Sequence, residues 1–249
     1  KAGILLTSLF AFAIPGYSPS SSAQEFPSRV IKIVDPFPPG SQLDAVARIL
    51  AERLQARWGQ PVLVENRAGA GGNIGAEQAF RASPDGYTLL MTSPAPLVIN
   101  KVLYAKLAYD PDAFVPISLV SMSPNVLIVA PKAGAESLQQ LIAFARANPD
   151  RLNYASSGIG TTSHLSSELL KSMGGGLKIV HVPYKGVAPA TMDQIAGRVD
   201  TLFAGLGISL SNIRAGSVRA LGVGSEKRNP VLPEVPAIAE ALPGFLSMV

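Results

Sequence analysis

The sequence predicts an α/β fold arranged as two lobes, and three observations carry that prediction. Short runs rich in Val, Ile and Leu alternate with longer segments whose apolar residues recur every three or four positions, which is how strands and helices alternate in mainly parallel sheets. The 249 residues are 47% apolar, ample for two cores, and the alternation breaks between residues 115 and 125. Gly and Pro number 23 and 21 while charged residues make up only 15%, a composition of defined turns and not of disorder.

Taken in order, residues 4–14 form an apolar stretch of eleven, too short for an ordinary membrane span. The small and polar run that follows, with Ser22, Ala23 and Gln24 as a processing site, reads as the end of a secretory leader, so residues 1–23 are set apart as a signal-peptide remnant. A buried N-terminal helix is the competing reading. The mature chain is then expected to open with a strand at 29–34, stopped by the Pro-rich run 36–40. Leu43, Ala47, Leu50, Ala51 and Leu54 predict a helix from Gln42 to Trp58, ended by Gly59 and Pro61. A strand at 61–64, a turn-rich stretch at 66–73, a helix at 74–82 and a strand at 87–91 follow, then segments at 95–103 and 114–130 in which 126–130 is the clearest strand.

The second half repeats the logic. A helix is expected at 137–148 and a strand at 152–155, then a Gly-rich turn at 156–164 leading into a helix through Lys171. Strands at 178–182, 200–204 and 218–223 flank a helix at 189–196 and a further segment at 208–216. No close sequence repeat links the halves; what recurs is a strand, a small-residue turn and a helix start.

Two of those turns carry the chemistry. Pro38, Pro39, Gly40, Ser41 and Gln42 precede a helix whose free first-turn N–H groups suit a carboxylate or phosphate, with Asp44 placed to cap donors or hold the loop. Ser156, Ser157, Gly158, Gly160, Thr161, Thr162 and Ser163 offer hydroxyls and a backbone that a ligand can approach closely. Each turn alone fits a surface cap equally well, and the pair is what suggests a clamp for a small anion. Ser93 and Tyr184 follow strands and join the candidates, while Lys185 reads as a solvated lysine. His164 in a first helical turn and His181 within an apolar strand read as capping or packing residues.

Other classes are poorly served. The net charge of +4 comes without a basic track, and the aromatic residues are not interleaved with one, so no nucleic-acid partner is expected. Gly69, Gly71 and Gly75 miss the dinucleotide spacing, no Lys follows a Gly-rich loop, and two histidines with no cysteine make a poor metal site; no cofactor and no metal are expected. A serine hydrolase using Ser157 and His164 is the enzyme alternative, but neither a nucleophile elbow nor an orienting acid accompanies them, and no catalytic residue is assigned.

Several blocks together form a family pattern: the runs 26–29, 36–40, 64–77, 84–90, 153–165 and 181–186, extended by 219–224 and 232–245. They resemble the Bug, or TctC-like, periplasmic receptors of tripartite tricarboxylate transporters over nearly the whole mature chain. The resemblance implies a two-lobed periplasmic-binding-protein-like fold with residues 24–124 as the first lobe and 125–249 as the second. It also implies capture of a small organic carboxylate, with bridging waters, and delivery to a membrane transporter complex. The turns at 38–42 and 156–163 correspond to the family's ligand turns. Three departures stand out: Gly40-Ser41 replaces a double glycine, Phe203-Ala204-Gly205 stands where many relatives have Phe-Asp-Asn, and the C-terminal segment that returns to the first lobe is missing beyond Val249. A truncated structural or interaction protein without transport activity is the remaining alternative.

Overall fold

A computed structural model describes residues 25–249, so the leader expected over 1–23 lies outside the described residues. The first half builds a parallel three-stranded sheet. Its central strand β1 (Ile31–Asp35) pairs with β2 (Val62–Asn66) on one side and β3 (Thr88–Leu90) on the other. Between β1 and β2 runs α1 (Gln42–Trp58), bounded as its caps dictate. Ser41 Oγ accepts the Asp44 N–H at 3.0 Å, and Gly59 ends the helix in the left-handed conformation with its N–H on the Gln55 carbonyl. Ala47 and Ala51 press onto Ile31, Ile33 and Val62, with Leu43, Leu50 and Leu54 around them. Helix α2 (Asn73–Phe80) precedes β3, and the expected segment 95–103 becomes a wide helical turn at Ala95–Ile99 followed by the short helix α3 (Asn100–Leu103).

The second half forms a five-stranded sheet in the order β6-β5-β7-β4-β8. Its strands are β4 (Asn125–Val129), β5 (Asn153–Ser156), β6 (Val180–Pro183), β7 (Thr201–Gly205) and β8 (Arg219–Val223). The helices are α4 (Leu138–Ala147), α5 (Thr162–Met173), α6 (Val187–Ile195) and α7 (Leu206–Arg214). Strands β5, β6 and β7 are mutually parallel, but β4 runs antiparallel to both β7 and β8. The strand that reads most clearly in sequence therefore departs from the parallel pattern. Both faces of this sheet are covered, which is why β4 is apolar throughout and does not alternate. Leu127, Val129, Tyr154 and Phe203 point to a core with α4, Ile238 and Phe245, while Val126, Ile128, Ala155 and Leu202 meet Ala190 of α6 and Leu206 of α7.

The expected strand character at 114–130 is confined to β4. Residues 114–124 have no strand or helix assignment, with Val115, Ile117 and Leu119 at 84%, 79% and 75% exposure. Pro116 and Pro124 lack ladder donors, and apart from Ser123 and Pro124, which pair with Val249 and Met248, the segment has no neighbouring strand among the described residues. Elsewhere the observed boundaries fall within about three residues of those read from periodicity.

Candidate ligand-binding site

The C-terminal end of β1 and the matching edge of the larger sheet face each other across a cavity of about 80 Å³. Register brings the second wall together: Asn125 of β4 lies opposite Gly205 of β7, and the C-terminal ends of β5 and β6 share that edge. Four helices begin there. The cavity is lined by Ser41, Thr161, Gly186 and Gly205, the residues just before α1, α5, α6 and α7, together with Gln42 and Leu43 of α1, Thr162 and Ser163 of α5, Val187 of α6 and Ile208 of α7.

On the β1 side the turn is held by carboxylates. Asp35 accepts the Phe37 N–H at 2.9 Å, and Asp44 accepts the Gly40 N–H at 2.9 Å, so each end of the Pro-rich loop hangs from an acid. The Asn66 amide nitrogen lies within 3.1 Å of three acceptors, Asp35, Asp44 and the Phe37 carbonyl. Burial pushes Asp35 up to about 7. Against the same effect, bonds from Arg48, Gly40 and Asn66 hold Asp44 below the ordinary carboxylate range. Asp44 thus does the holding that its position suggests, and its partner Arg48 supplies the compensating charge.

The second turn is cross-linked by its own hydroxyls. Ser163 Oγ accepts the Ser157 N–H at 2.9 Å and lies 2.9 Å from Ser157 Oγ and 3.0 Å from Thr161 Oγ1, which donates to the Gly158 carbonyl at 2.6 Å. Ser156 is buried below the loop, taking the Gly158 N–H at 3.2 Å. Among the described residues, the amides of Gln42 and Leu43 in α1 and of Thr162, Ser163 and His164 in α5 find no protein acceptor. Among the described residues, no Asp, Glu, Lys, Arg or His lines the cavity. What the site offers a ligand is a set of free N–H groups and hydroxyls at converging positive helix ends.

Of the residues singled out in sequence, Pro38, Ser41, Gln42, Ser93, Ser157, Thr161, Thr162 and Ser163 line this cavity together. Pro39, Gly40, Ser156, Gly158 and Gly160 shape the two turns without lining it. Tyr184 stands away from it, its hydroxyl donating to Asp193 at 2.7 Å. Phe37, Asn125, Val187 and Ile208 are lining residues that sequence reasoning passed over, while Phe203 and Gly205, noted there only as departures from the family pattern, line it too. The starts of α6 and α7, each directly after a strand, were the available signal for Val187 and Ile208. His164 receives the Gly160 N–H on Nδ1 at 3.2 Å, and Ser157 Oγ meets Ser163, so the hydrolase pair is not assembled.

The two walls touch. Pro38 packs on Gly186, and a Cβ added to Gly186 would sit 2.8 Å from Pro38 Cγ. The Gln42 side-chain oxygen occupies the space in front of Gly205, buried and without a hydrogen-bond partner among the described residues.

With this geometry in view, the sequence profile described as "Tripartite tricarboxylate transporter family receptor" matches residues 46–249. The chain belongs to that family. This family member is 40% identical over 230 residues to Protein BugT of Bordetella pertussis, which covers 92% of the chain and 70% of the relative. Among solved structures it resembles R. palustris Rpa4515 with adipate, at 38% identity and TM-score 0.87 over 90% of this chain and 75% of that one. It also resembles MatC (Rpa3494) from Rhodopseudomonas palustris with bound malate, at 33% identity and TM-score 0.84 over 90% and 76%. The aligned parts of the first three curated relatives span between 66% and 73% of their own lengths. The family is one of solute-binding receptors, not of enzymes, and its fold is the two-sheet α/β architecture of periplasmic binding proteins. No helix of the described residues is long and apolar enough to cross a membrane.

Proposed function

We propose that this chain is a periplasmic receptor that captures a small organic carboxylate between two lobes, 24–124 and 125–249, and hands it to a tripartite tricarboxylate transporter. The observation that carries the reading is the uncharged cavity at which uncapped first-turn amides of α1 and α5 converge. A carboxylate supplies oxygen acceptors for such amides and matches the positive helix ends, without a salt bridge that would slow release. Ser41, Gln42, Ser157, Thr161, Thr162 and Ser163 form the first contact set, with Ser93 beside them. The turns through Pro38, Pro39 and Gly40 and through Ser156, Gly158 and Gly160 set their positions, and Tyr184 supports the second turn from behind.

The unpartnered Gln42 amide belongs to the same reading. A buried amide oxygen without a partner calls for one, and rotating the amide by half a turn puts NH₂ in its place, so it can serve a carboxylate or a bridging water. The solved relatives with adipate and malate support the ligand class. Transfer from the closed receptor to a membrane complex follows if closure and capture are one event.

Calorimetry of the folded chain against a panel of small carboxylates that includes adipate and malate tests the proposal. At least one acid is expected to bind with micromolar or tighter affinity, with Thr162→Val reducing it about tenfold through the lost hydroxyl. A panel that shows no saturable heat would overturn it.

A further inference from the structure

Beneath the second turn lies a group of titratable side chains that the binding site does not use. Parallel pairing of β5 and β6 sets His181 opposite Tyr154, and their rings stack with centroids 4.6 Å apart. The first turn of α5 lays His164 on His181 at 4.5 Å, giving a pile of three rings. Each imidazole holds one glycine of the turn. His164 Nδ1 accepts the Gly160 N–H at 3.2 Å, while His181 Nε2 lies 2.7 Å from Ser156 Oγ, the acceptor for the Gly158 N–H. Both glycines sit at positive φ, +132° and +82°, and Gly160 is wedged against Leu103 and Asn100 of α3.

We propose that His164 is the positioning residue of the 156–164 turn, and that a proton on its Nδ1 releases the Gly160 amide and weakens capture of the anion. An N–H can be accepted only by a ring nitrogen with a free lone pair, so the observed bond fixes His164 as neutral with its hydrogen on Nε2. Protonation turns Nδ1 into a donor facing another donor. The turn must then shift, and with it the Thr162 and Ser163 amides at the cavity.

The groups facing the pair are Tyr154 from β5 and Glu168 and Lys171 from α5. Glu168 accepts from Lys171 at 2.7 Å and from the Tyr154 hydroxyl. Tyr104, just past α3, stands on the other side with its hydroxyl beside Gly71, where the Ile159 carbonyl also points. Burial lowers His164 from its usual range and pushes His181, with His164 beside it, down to about 4. Both rings are therefore neutral at pH 7, and on acidification His164 takes the first proton while its stacked neighbour resists a second. The resulting cation attracts an anion, but the amides that coordinate it are displaced, and the loss of aligned short-range bonds outweighs a screened charge.

The inference rests on the carboxylate reading for its consequence and not for its geometry, so the test has two arms on the full chain. In the first, nuclear magnetic resonance follows the Gly160 amide and the His164 ring nitrogens of unliganded protein from pH 8 to pH 5. The Gly160 signal is expected to move with the same midpoint as His164, and a Gly160 signal that stays still while His164 titrates would overturn the proposal. In the second, adipate affinity is measured at pH 8 and pH 5.5 for the natural chain, His164→Leu and His164→Asn. The natural chain should lose about tenfold on acidification. His164→Leu should already be weak at pH 8, whereas the Asn oxygen restores the acceptor and should recover affinity without the acid loss. An Asn variant that keeps the natural pH response, or a natural chain that binds more tightly at pH 5.5, sinks the idea. If adipate does not bind at all, the carboxylate reading suffers, and the Gly160 response alone decides the coupling.

Discussion

Asp35 shows how much one side chain at the end of a strand can do. It is fully buried, holds the Phe37 amide that begins the first ligand turn, and among the described residues has no cation bonded to it directly. Its folded value of about 7 exceeds the ordinary 3.8, so between those values the folded chain keeps a proton that the unfolded chain has released. The contribution to stability is therefore greatest near pH 4 and declines as pH rises to about 7. Asp35→Asn keeps an acceptor for Phe37 while removing the titration. In urea unfolding, the natural chain should lose on the order of 2–3 kcal/mol relative to the variant between pH 5 and pH 8, the histidines contributing equally to both. From sequence, the first strand ends at Val34 and Asp35 has no role. Its burial depends on β2 and α1 closing over it with Asn66 and Asp44, 31 and 9 positions away, and no local pattern carries that information.

At the scale of elements, α1 and α5 reach the cavity by different means. The first is capped by Ser41 in the usual way, which leaves Gln42 and Leu43 amides free; the second has no side-chain cap, and Ser163, inside its first turn, reaches back to hold Ser157. Ser163→Ala removes one acceptor from a partly buried amide and frees the turn. It is expected to cost about 1 kcal/mol in thermal or urea unfolding and to weaken carboxylate binding about tenfold by calorimetry. Unchanged affinity would show that the turn is held by Thr161 and the histidines alone. The Ser/Thr/Gly composition of 156–163 was legible as ligand chemistry. Which hydroxyls are occupied within the loop and which remain for a ligand was not, because hydroxyl rotors choose among neighbours only once the turn has its φ values.

The whole molecule adds the meeting of the two walls. Gly205 has ordinary helical-entry φ near −58°, so alanine is tolerated by its backbone, but the new methyl would occupy the place of the Gln42 side-chain oxygen. Gly205→Ala is therefore expected to leave unfolding within about 0.5 kcal/mol of the natural chain and to lower carboxylate affinity by keeping the walls apart. X-ray scattering supplies the matching measurement: addition of adipate should contract the natural chain, and the variant should respond less. A contraction equal in both would show that contact between Gln42 and Gly205 does not set how far the walls close.

The elements, their caps and the two polar turns follow from the sequence alone, since apolar periodicity, Gly, Pro and Ser at helix ends act over a few residues. Helix α1 comes out residue for residue, and the ordered blocks point to the family before any coordinate is known. Tertiary structure decides what those parts meet. It turns β4 antiparallel, gathers the starts of α1, α5, α6 and α7 at one cavity, sets Gln42 before Gly205, and stacks His164 on His181. Periodicity records that a face is buried and leaves open which distant strand or helix buries it. That choice belongs to the packing of the assembled chain.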